Sequence, residues 1–359
     1  MTRVGLDVRI LASSEYMTGV PGYVFHLAKN LMAMQPDRTV FFSDKEVGSM
    51  PSTVVRRWHQ ALPWQQSALP VAAMKARVSV FHGPGYSLPS WGKFKKIVTI
   101  HDMTFVKHPE WMDNSVHEYL RRMVPLSLKV ADAIVVPTDQ IVEDLAMYYP
   151  HTTTKLVRAI PMGSVYTDVV CENWESTRVH DWPYVLHVGT LEPRKNLETL
   201  VKAFTVAVDR RRLPHRLVLV GNQGWKCAGL MELIRESPVR DRIVLAGYAD
   251  NQDLEQWYRG ADLYVQAAHY EGFGISTLDA YCFGLPIIAT RTGWVRDLHH
   301  DSVGYVNNSE DVDEMADVLE TALASNGVQK SVSGRDRQRW SWENTTLQHQ
   351  ALYSEVGIA

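Results

Sequence analysis

Short apolar segments recur along the chain with room for a helix between them. In the first half these are VGLDVRIL (4–11), TVFFSD (39–44), VSVFH (78–82), KIVTIHD (96–102) and AIVVPT (133–138), with helical patterns over 23–35, 115–129 and 139–149. Near-continuous apolar runs of this length read as strands buried on both faces. Their alternation with helices calls for a parallel sheet covered on both sides. The pattern then restarts with YVLHVGT (184–190), RLVLVGN (216–222), RIVLAGY (242–248), DLYVQA (262–267) and PIIATR (286–291), and with helices expected over 196–209, 227–236, 252–259, 275–284 and 311–325. Residues 163–183 have no clear period, mix Gly, Thr, Asn and charges, and read as a linker. SWENTTLQHQALYSEV (341–356) opens with Ser341, carries Glu343 and Asn344 in its first turn and reads as a terminal helix. The fold class expected is α/β: two doubly wound, Rossmann-like domains over 1–165 and 166–340, facing each other across a cleft, and a helical segment over 341–359. Ligands bind outside the carboxyl ends of parallel strands, so that cleft is the default site.

Size agrees with this reading: 359 residues at about 150 per domain make two domains. With 45% hydrophobic and 21% charged residues, the composition excludes a disordered, collagen-like or disulfide-scaffold chain. No apolar run approaches the roughly 18 residues of a membrane-spanning helix. Arg3, Asp7 and Arg9 interrupt the N-terminal apolar stretch, so no signal peptide is expected. Cys171, Cys227 and Cys282 show no metal-ligand spacing and no even count, which points to a reducing, cytoplasmic setting. Residues 1–165 carry 18 Lys and Arg against 13 Asp and Glu, a net of +5, whereas residues 166–359 carry 19 against 27, a net of −8. The basic half suits anionic lipid at the cytoplasmic membrane face or a phosphate-bearing acceptor, although uneven surface charge explains it as well. No basic stretch is interleaved with stacking aromatics, so nucleic acid is not an expected partner.

Three places carry candidate chemistry. In HVGTLEPRKN (187–196), Gly189 follows a strand end, and Arg194 and Lys195 stand just before a helix opening near Asn196. Arg offers a bidentate fork, Lys a point charge and the helix amides further donors, a combination suited to a diphosphate. The plainer reading is a solvated basic turn with Asn196 as helix cap. In YEGFGISTLDAYCFGLPIIAT (270–290), Gly272, Phe273 and Gly274 lead into a helix beginning near Ile275. Glycines there let backbone approach a ligand closely. Glu271 and Asp279, eight residues apart, can accept hydrogen bonds from the vicinal hydroxyls of a sugar and a ribose, or serve as an acid–base pair in glycoside hydrolysis. The plainer reading is a surface Glu and a helix-face Asp. His101 and Asp102 close the strand IVTIHD, where a histidine can donate to a substrate hydroxyl or move a proton, while a lone histidine is more often structural. TGVPGY (18–23) reads as a strand-to-helix loop with Gly19 as a weaker ligand candidate, and His299-His300 as a polar loop.

The segments HVGTLEPRKNLETLVKAF, LVLVGNQGW, IVLAGYADNQDLEQWYRGADLYVQA and EGFGISTLDAYCFGLPIIAT, in this order, resemble retaining glycosyltransferase family 4, of the two-Rossmann-domain GT-B architecture. The likeness is strong over about 180–325 and thinner over 1–160. IPMG (160–163) resembles the family's entry into its second domain, IHDMTF (100–105) its His-Asp strand end, and SWENTTLQHQALY the C-terminal helix that returns to the first domain. The resemblance implies an acceptor-binding first domain and a second domain that binds a nucleotide-sugar donor. It implies that Arg194 and Lys195 hold the diphosphate and that Glu271 contacts the transferred sugar. The backbone at Phe273, Gly274 and Ile275 would meet sugar and phosphate, Asp279 the ribose, and His101, with Asp102 beside it, the reacting sugar. It implies no metal and no cofactor beyond the nucleotide sugar. The activity implied is a hexosyltransferase of mannosyl or rhamnosyl type, with GDP-mannose favoured over UDP-hexose or dTDP-rhamnose. Its acceptor would be a glycan or lipid-linked glycan of a bacterial surface polysaccharide: O-antigen, capsule or exopolysaccharide. The chain departs from the family twice. Asp279 replaces the second Glu of an E-x7-E motif and is one methylene shorter. Gly19-Val20-Pro21-Gly22-Tyr23 lacks the Arg of the usual loop. These departures keep two other readings open, a non-catalytic nucleotide-sugar-binding protein and, by fold analogy, a sugar-nucleotide epimerase.

Overall fold

The computed structural model describes residues 2–14, 18–48, 50, 53–54 (backbone only), 64–167, 180–296, 303–324 and 338–358. Cys171, His299, His300 and residues 168–179 of the expected linker lie outside them. The chain divides into two units, Met1–Gly163 with Trp340–Ala359, and Ser164–Arg339.

The first unit is built on a sheet of β1 (Val4–Asp7), β2 (Thr39–Ser43), β3 (Thr53–Val54), β4 (Val80–Gly83), β5 (Lys95–Thr99), β6 (Ala133–Val136) and β7 (Leu156–Ala159). Its order is β3-β2-β1-β4-β5-β6-β7, and every pairing is parallel. The second unit holds β8 (Tyr184–Val188), β9 (Arg216–Val220), β10 (Ile243–Gly247), β11 (Leu263–Gln266), β12 (Ile287–Thr290) and β13 (Val303–Val306), ordered β10-β9-β8-β11-β12-β13 and again parallel throughout. In each sheet the first strand is central and the chain runs outward from it in both directions. The strand order therefore reverses between β1 and β4 and between β8 and β11, where connections diverge and leave a crevice at the carboxyl ends. β1, β4, β6, β8, β11 and β12 are buried along their whole length, as continuous apolar runs predict.

β3, β7 and β13 lie outside the ten apolar runs, and all three are sheet edges. Arg158 and Ala159 of β7 are exposed, and in β13 only Val306 is buried. An edge strand needs less apolar cover, so its sequence carries a weaker signal.

TGVPGY does not form the expected loop. The helix Gly19–Met34 begins at Gly19, four residues before the expected start, with extended Thr18 ahead of it. Pro21 sits in its first turn, where the N–H that proline lacks would have had no intrahelical partner. The terminal helix Trp342–Ile358 packs on this helix and buries Trp342, Thr345, Thr346, His349, Leu352, Tyr353 and Val356. Thr345 Oγ1 donates to the Pro161 carbonyl at 2.9 Å, tying the helix to the last turn of chain before the second unit.

In the second unit, the helix Leu197–Arg211 sets Leu200, Val201 and Phe204 against Leu217, Leu219, Val265 and Ile288 of the sheet, with Met315 and Leu319 closing the cluster. Truncating a side chain such as Phe204 to Ala would cost about 3–5 kcal/mol. This core holds the carboxyl ends of β8 and β11 in place. Among the described residues, no helix is long and apolar enough to cross a membrane.

Candidate functional site

At the carboxyl end of β8, Pro193 starts a single helical turn, Pro193–Lys195, that projects Arg194 and Lys195. Asn196 follows in the left-handed conformation (φ 55°) and occupies the cap position of Leu197–Arg211, where its carbonyl accepts from the Leu200 N–H while its side chain makes no cap bond. Its amide instead donates to the carbonyls of Ala267 (3.1 Å) and Ser309 (2.6 Å), which fixes the turn against β11. The turn is not a solvated one: Lys195 is 9% exposed. Lys195 Nζ donates to Glu271 Oε1 at 2.5 Å. Arg194 donates to Glu271 Oε2 (2.6 Å), to the Tyr270 carbonyl (3.0 Å) and to Glu192 Oε1 (2.6 Å). Burial by itself raises the Glu271 carboxyl, but the charges of Arg194 and Lys195 overcome that and hold it down at about 2. Gly189 makes this packing possible, because a Cβ there would lie 3.2 Å from Lys195 Cε and 3.5 Å from His187 Nε2.

The loop carrying Glu271 is held from the next strand end. Thr292 Oγ1 accepts from the Glu271 N–H at 2.8 Å, and the Trp294 N–H donates to the Phe273 carbonyl at 2.9 Å. Gly272 and Phe273 are buried in this loop. Gly274 (φ 91°) adopts the left-handed backbone that starts the helix Ile275–Cys282, and Ile275 is its first, half-buried residue. A helix N-terminus, two cations and a carboxylate therefore meet where the strand order reverses, the arrangement that binds a phosphorylated ligand.

Asp279, five residues into the range of Ile275–Cys282, is half-buried and accepts from Ser164 Oγ at 2.6 Å. Burial pushes its carboxyl up to about 7, against the lowering effect of that bond. The Tyr166 backbone N–H donates to the same Ser164 Oγ at 3.1 Å, so the start of the second unit is folded onto this helix.

Sequence reasoning missed several members of the cluster. Glu192 sits two residues before Arg194, inside the quoted motif, and its proximity was the available signal. His187 donates from Nδ1 to the Val265 carbonyl (3.0 Å), leaving Nε2 a buried acceptor without a hydrogen-bond partner. Burial first, and then the Lys195 charge, push this imidazole down to about 4. Among the described residues, both amide atoms of Gln266, at the end of β11, are likewise buried without a hydrogen-bond partner. Such groups are rare because each forfeits its hydration. His187 beside Gly189 and Gln266 beside Gly274 mark this crevice as polar.

In the first unit, the structure gathers the other candidates at the carboxyl ends of β4 and β5. His101 is 5% exposed and donates from Nε2 to the Pro84 carbonyl at 2.7 Å. That bond fixes the tautomer, so Nδ1 is an acceptor, buried and without a partner. Burial pushes the imidazole below its ordinary value, which keeps it neutral. Asp102 Oδ2 accepts from the Tyr86 hydroxyl (2.9 Å) and Oδ1 from the Thr104 N–H (2.9 Å), so this carboxylate shapes the loop around His101. Gly19 (φ 57°) opens the helix Gly19–Met34 with nothing within 4 Å of where a Cβ would stand. Among the described residues, no group of three His, Cys, Asp or Glu side chains is arranged to hold a metal ion.

Residues 172–340 match the family described as glycosyl transferases group 1. The O-antigen chain mannosyltransferase B of Escherichia coli is 26% identical over 281 residues, covering 75% of this chain and 72% of that protein. Sucrose-phosphate synthase from Thermosynechococcus elongatus superposes with a TM-score of 0.75 at 21% identity, covering 99% of both chains. HepE from Anabaena, solved with UDP and glucose, superposes with a TM-score of 0.71 at 14% identity, covering 99% of this chain and 100% of that one. The fold is thus the two-domain α/β fold of the GT-B class.

Proposed function

This chain is a glycosyltransferase carrying a group 1 domain, and on that premise we propose that it moves a hexose from a nucleoside diphosphate sugar to a glycan acceptor with retention of configuration. The sugar is mannose and the donor GDP-mannose; the 26%-identical O-antigen chain mannosyltransferase supports this choice. The product belongs to a bacterial surface polysaccharide, made at the cytoplasmic face of the membrane.

One observation carries the reading: Glu271 is clamped between Arg194 and Lys195 beside the Gly274 helix N-terminus, at the reversal point of the second sheet. As the bond from the sugar's anomeric carbon to the diphosphate breaks, negative charge grows on the departing phosphate and positive charge on the sugar. Arg194, Lys195 and the helix amides are already oriented for the first. Glu271 accepts from a sugar hydroxyl and Asp279 from the ribose. His101 accepts at Nδ1 from a hydroxyl of the reacting sugar. Two fixed cations at the leaving group make a metal unnecessary, and the chain needs no cofactor beyond its co-substrate.

Membrane contact is assigned to the helix Asn114–Val130, capped by Asp113, whose carboxylate accepts from the Ser115 and Val116 N–H groups. Val116, Tyr119 and Leu126 are exposed on one side of it, flanked by Arg122 and Lys129. Failure to sediment with anionic vesicles at low salt removes this assignment.

The deciding experiment is calorimetric titration with GDP-mannose, UDP-glucose and dTDP-rhamnose, each with EDTA. Tight binding of GDP-mannose alone is expected. Binding of another nucleotide reassigns the donor, binding only when Mg²⁺ replaces EDTA overturns metal independence, and no binding overturns the site. Conversion of a bound donor to its epimer without acceptor would make the chain an isomerase.

A further inference from the structure

The first unit contains a buried chain of side-chain hydrogen bonds that spans the fold. Tyr353 OH lies 2.8 Å from His82 Nδ1, His82 Nε2 2.8 Å from Thr99 Oγ1, and Thr99 Oγ1 3.2 Å from Tyr23 OH. Tyr23 OH lies 2.7 Å from His349 Nε2, and His349 Nδ1 lies 2.8 Å from the Thr345 carbonyl. Tyr23, His82, Thr99, His349 and Tyr353 are all at most 3% exposed.

Every proton in this chain can be assigned from its end. A carbonyl only accepts, so His349 Nδ1 carries the hydrogen. Burial pushes His349 down to about 4 and His82 well below its ordinary value, so both rings are neutral. His349 Nε2 then accepts, and Tyr23 must donate to it. Having spent its one hydrogen, Tyr23 accepts from Thr99. Thr99 in turn accepts from His82 Nε2–H, and Tyr353 donates to His82 Nδ1. The order runs one way and leaves no donor unused.

The chain passes beside His101. Thr99 is the last residue of β5, and His101 follows two residues later. Tyr23, whose hydroxyl is fixed at Thr99, lays its ring edge-on to the imidazole, centroids 4.7 Å apart and planes at 81°. Tyr86 meets it from another direction at 5.2 Å and 65°.

We infer that Tyr23 is a positioning residue for His101: the terminal helix, through His349, locks the tyrosine whose ring holds the His101 imidazole in place, so that Nδ1, the acceptor left by the bond to Pro84, stays presented. This rests on the reading of His101 as the group that meets the reacting sugar. The order of bonds makes the C-terminal helix a working part of that site, at a separation of more than 240 positions along the sequence.

The test is long-range ¹H–¹⁵N correlation of the histidine rings in the full chain, in the wild type and in Tyr23→Phe and Tyr353→Phe. The wild type is expected to show His349 as the Nδ1–H tautomer and His82 and His101 as Nε2–H. Tyr23→Phe breaks both hydroxyl bonds, frees the ring that packs on His101 and is expected to shift and broaden the His101 ring resonances. Tyr353→Phe removes a hydroxyl from the far end of the same chain and is expected to leave the His101 resonances unmoved. Thr99→Val is read in the same way if Tyr23→Phe does not fold. His349 as Nε2–H, unmoved His101 resonances in Tyr23→Phe, or equal shifts in both tyrosine variants overturn the inference. Donor hydrolysis without acceptor, using the nucleotide sugar that calorimetry selects, separates the two layers. In Tyr23→Phe it should fall on the order of tenfold at unchanged donor affinity. Wild-type hydrolysis in His101→Ala would sink the reading of His101 while leaving the spectroscopic result standing.

Discussion

The two units share a parallel sheet with one reversal point, yet they furnish that point in opposite ways. The second unit fills it with formal charge: half-buried Arg194 and buried Lys195 against buried Glu192 and Glu271, paired within 2.6 Å. The first unit fills it with neutral rings: His101, Tyr23 and Tyr86, beside a chain of uncharged histidines and hydroxyls. A preorganised ion-pair cluster is suited to a ligand that is itself charged. A preorganised set of neutral donors and acceptors suits hydroxyls, which it orients without a large desolvation cost. On the proposed reading, one topology would supply a place for the diphosphate and a place for sugar hydroxyls, with the side chains at the strand ends deciding which.

Replacing the charges should give the largest effect. Arg194→Ala and Lys195→Ala are each expected to weaken donor binding on the order of 100-fold, the loss of charge-assisted hydrogen bonds in a buried setting. His101→Ala should weaken it less than about tenfold while slowing turnover, because a neutral hydrogen bond contributes less. Calorimetry on the three variants checks this. Equal losses in both units would break the contrast between an anion site and a hydroxyl site.

A second effect sharpens it through acid stability. The folded pKa of Glu271 is about 2, depressed from an ordinary value of 4.5. A depressed carboxyl contributes stability that is fully present above its unfolded pKa and disappears as pH falls through the folded one. The clamp should therefore contribute about 3 kcal/mol, lost between about pH 5 and pH 2. Unfolding of the wild type and Glu271→Gln across that range measures it, with the two curves converging at the acid end. The His101 cluster, being neutral, predicts no such loss in that window beyond what protonation of its histidines brings. Parallel curves for wild type and variant would mean that Glu271 is not held by its two cations.

The same contrast explains what was legible in the sequence. Arg194, Lys195, Glu271 and Gly274 stand in two compact motifs at strand ends, which made them visible as candidates, while the family resemblance supplied the roles that joined them. The neutral network draws on Tyr23, His82, Thr99, His349 and Tyr353, spread over the whole first unit and the terminal helix. No local pattern links these positions, and each looks like an ordinary core residue by itself. The strands of the sheet interiors were readable because burial on both faces forces continuous apolar runs; β10, an edge with Leu245 exposed, kept such a run as well. β3, β7 and β13 were not, because an edge can carry Arg158 or leave Tyr305 half-buried without penalty. TGVPGY misled for another reason. Gly and Pro signal a turn in the middle of a chain, but in a first helical turn the missing proline donor costs nothing.

Within the second unit itself the two carboxylates of the E-x7-D spacing are driven apart. Glu271 is depressed by its cations. Asp279 has only Ser164 Oγ to stabilise its charge among the tyrosines Tyr166, Tyr258 and Tyr264, and burial raises it from 3.8 to about 7. A raised carboxyl has the opposite linkage: it leaves the fold most stable below its unfolded pKa and subtracts stability as pH climbs toward 7. Binding depends on the same proton. On the proposed reading, ionised Asp279 would accept from two ribose hydroxyls, whereas the protonated acid would spend one oxygen as a donor. Donor affinity should therefore rise by up to about tenfold per pH unit up to about pH 7 and level off above it. In Asp279→Asn, which keeps an acceptor for Ser164 but cannot ionise, that rise should vanish, while the acid loss of stability tied to Glu271 stays. A wild-type affinity that is flat from about pH 5.5 to 8.5 would show that the ribose does not meet Asp279. The substitution of Asp for Glu would then be a change in the helix rather than in the site.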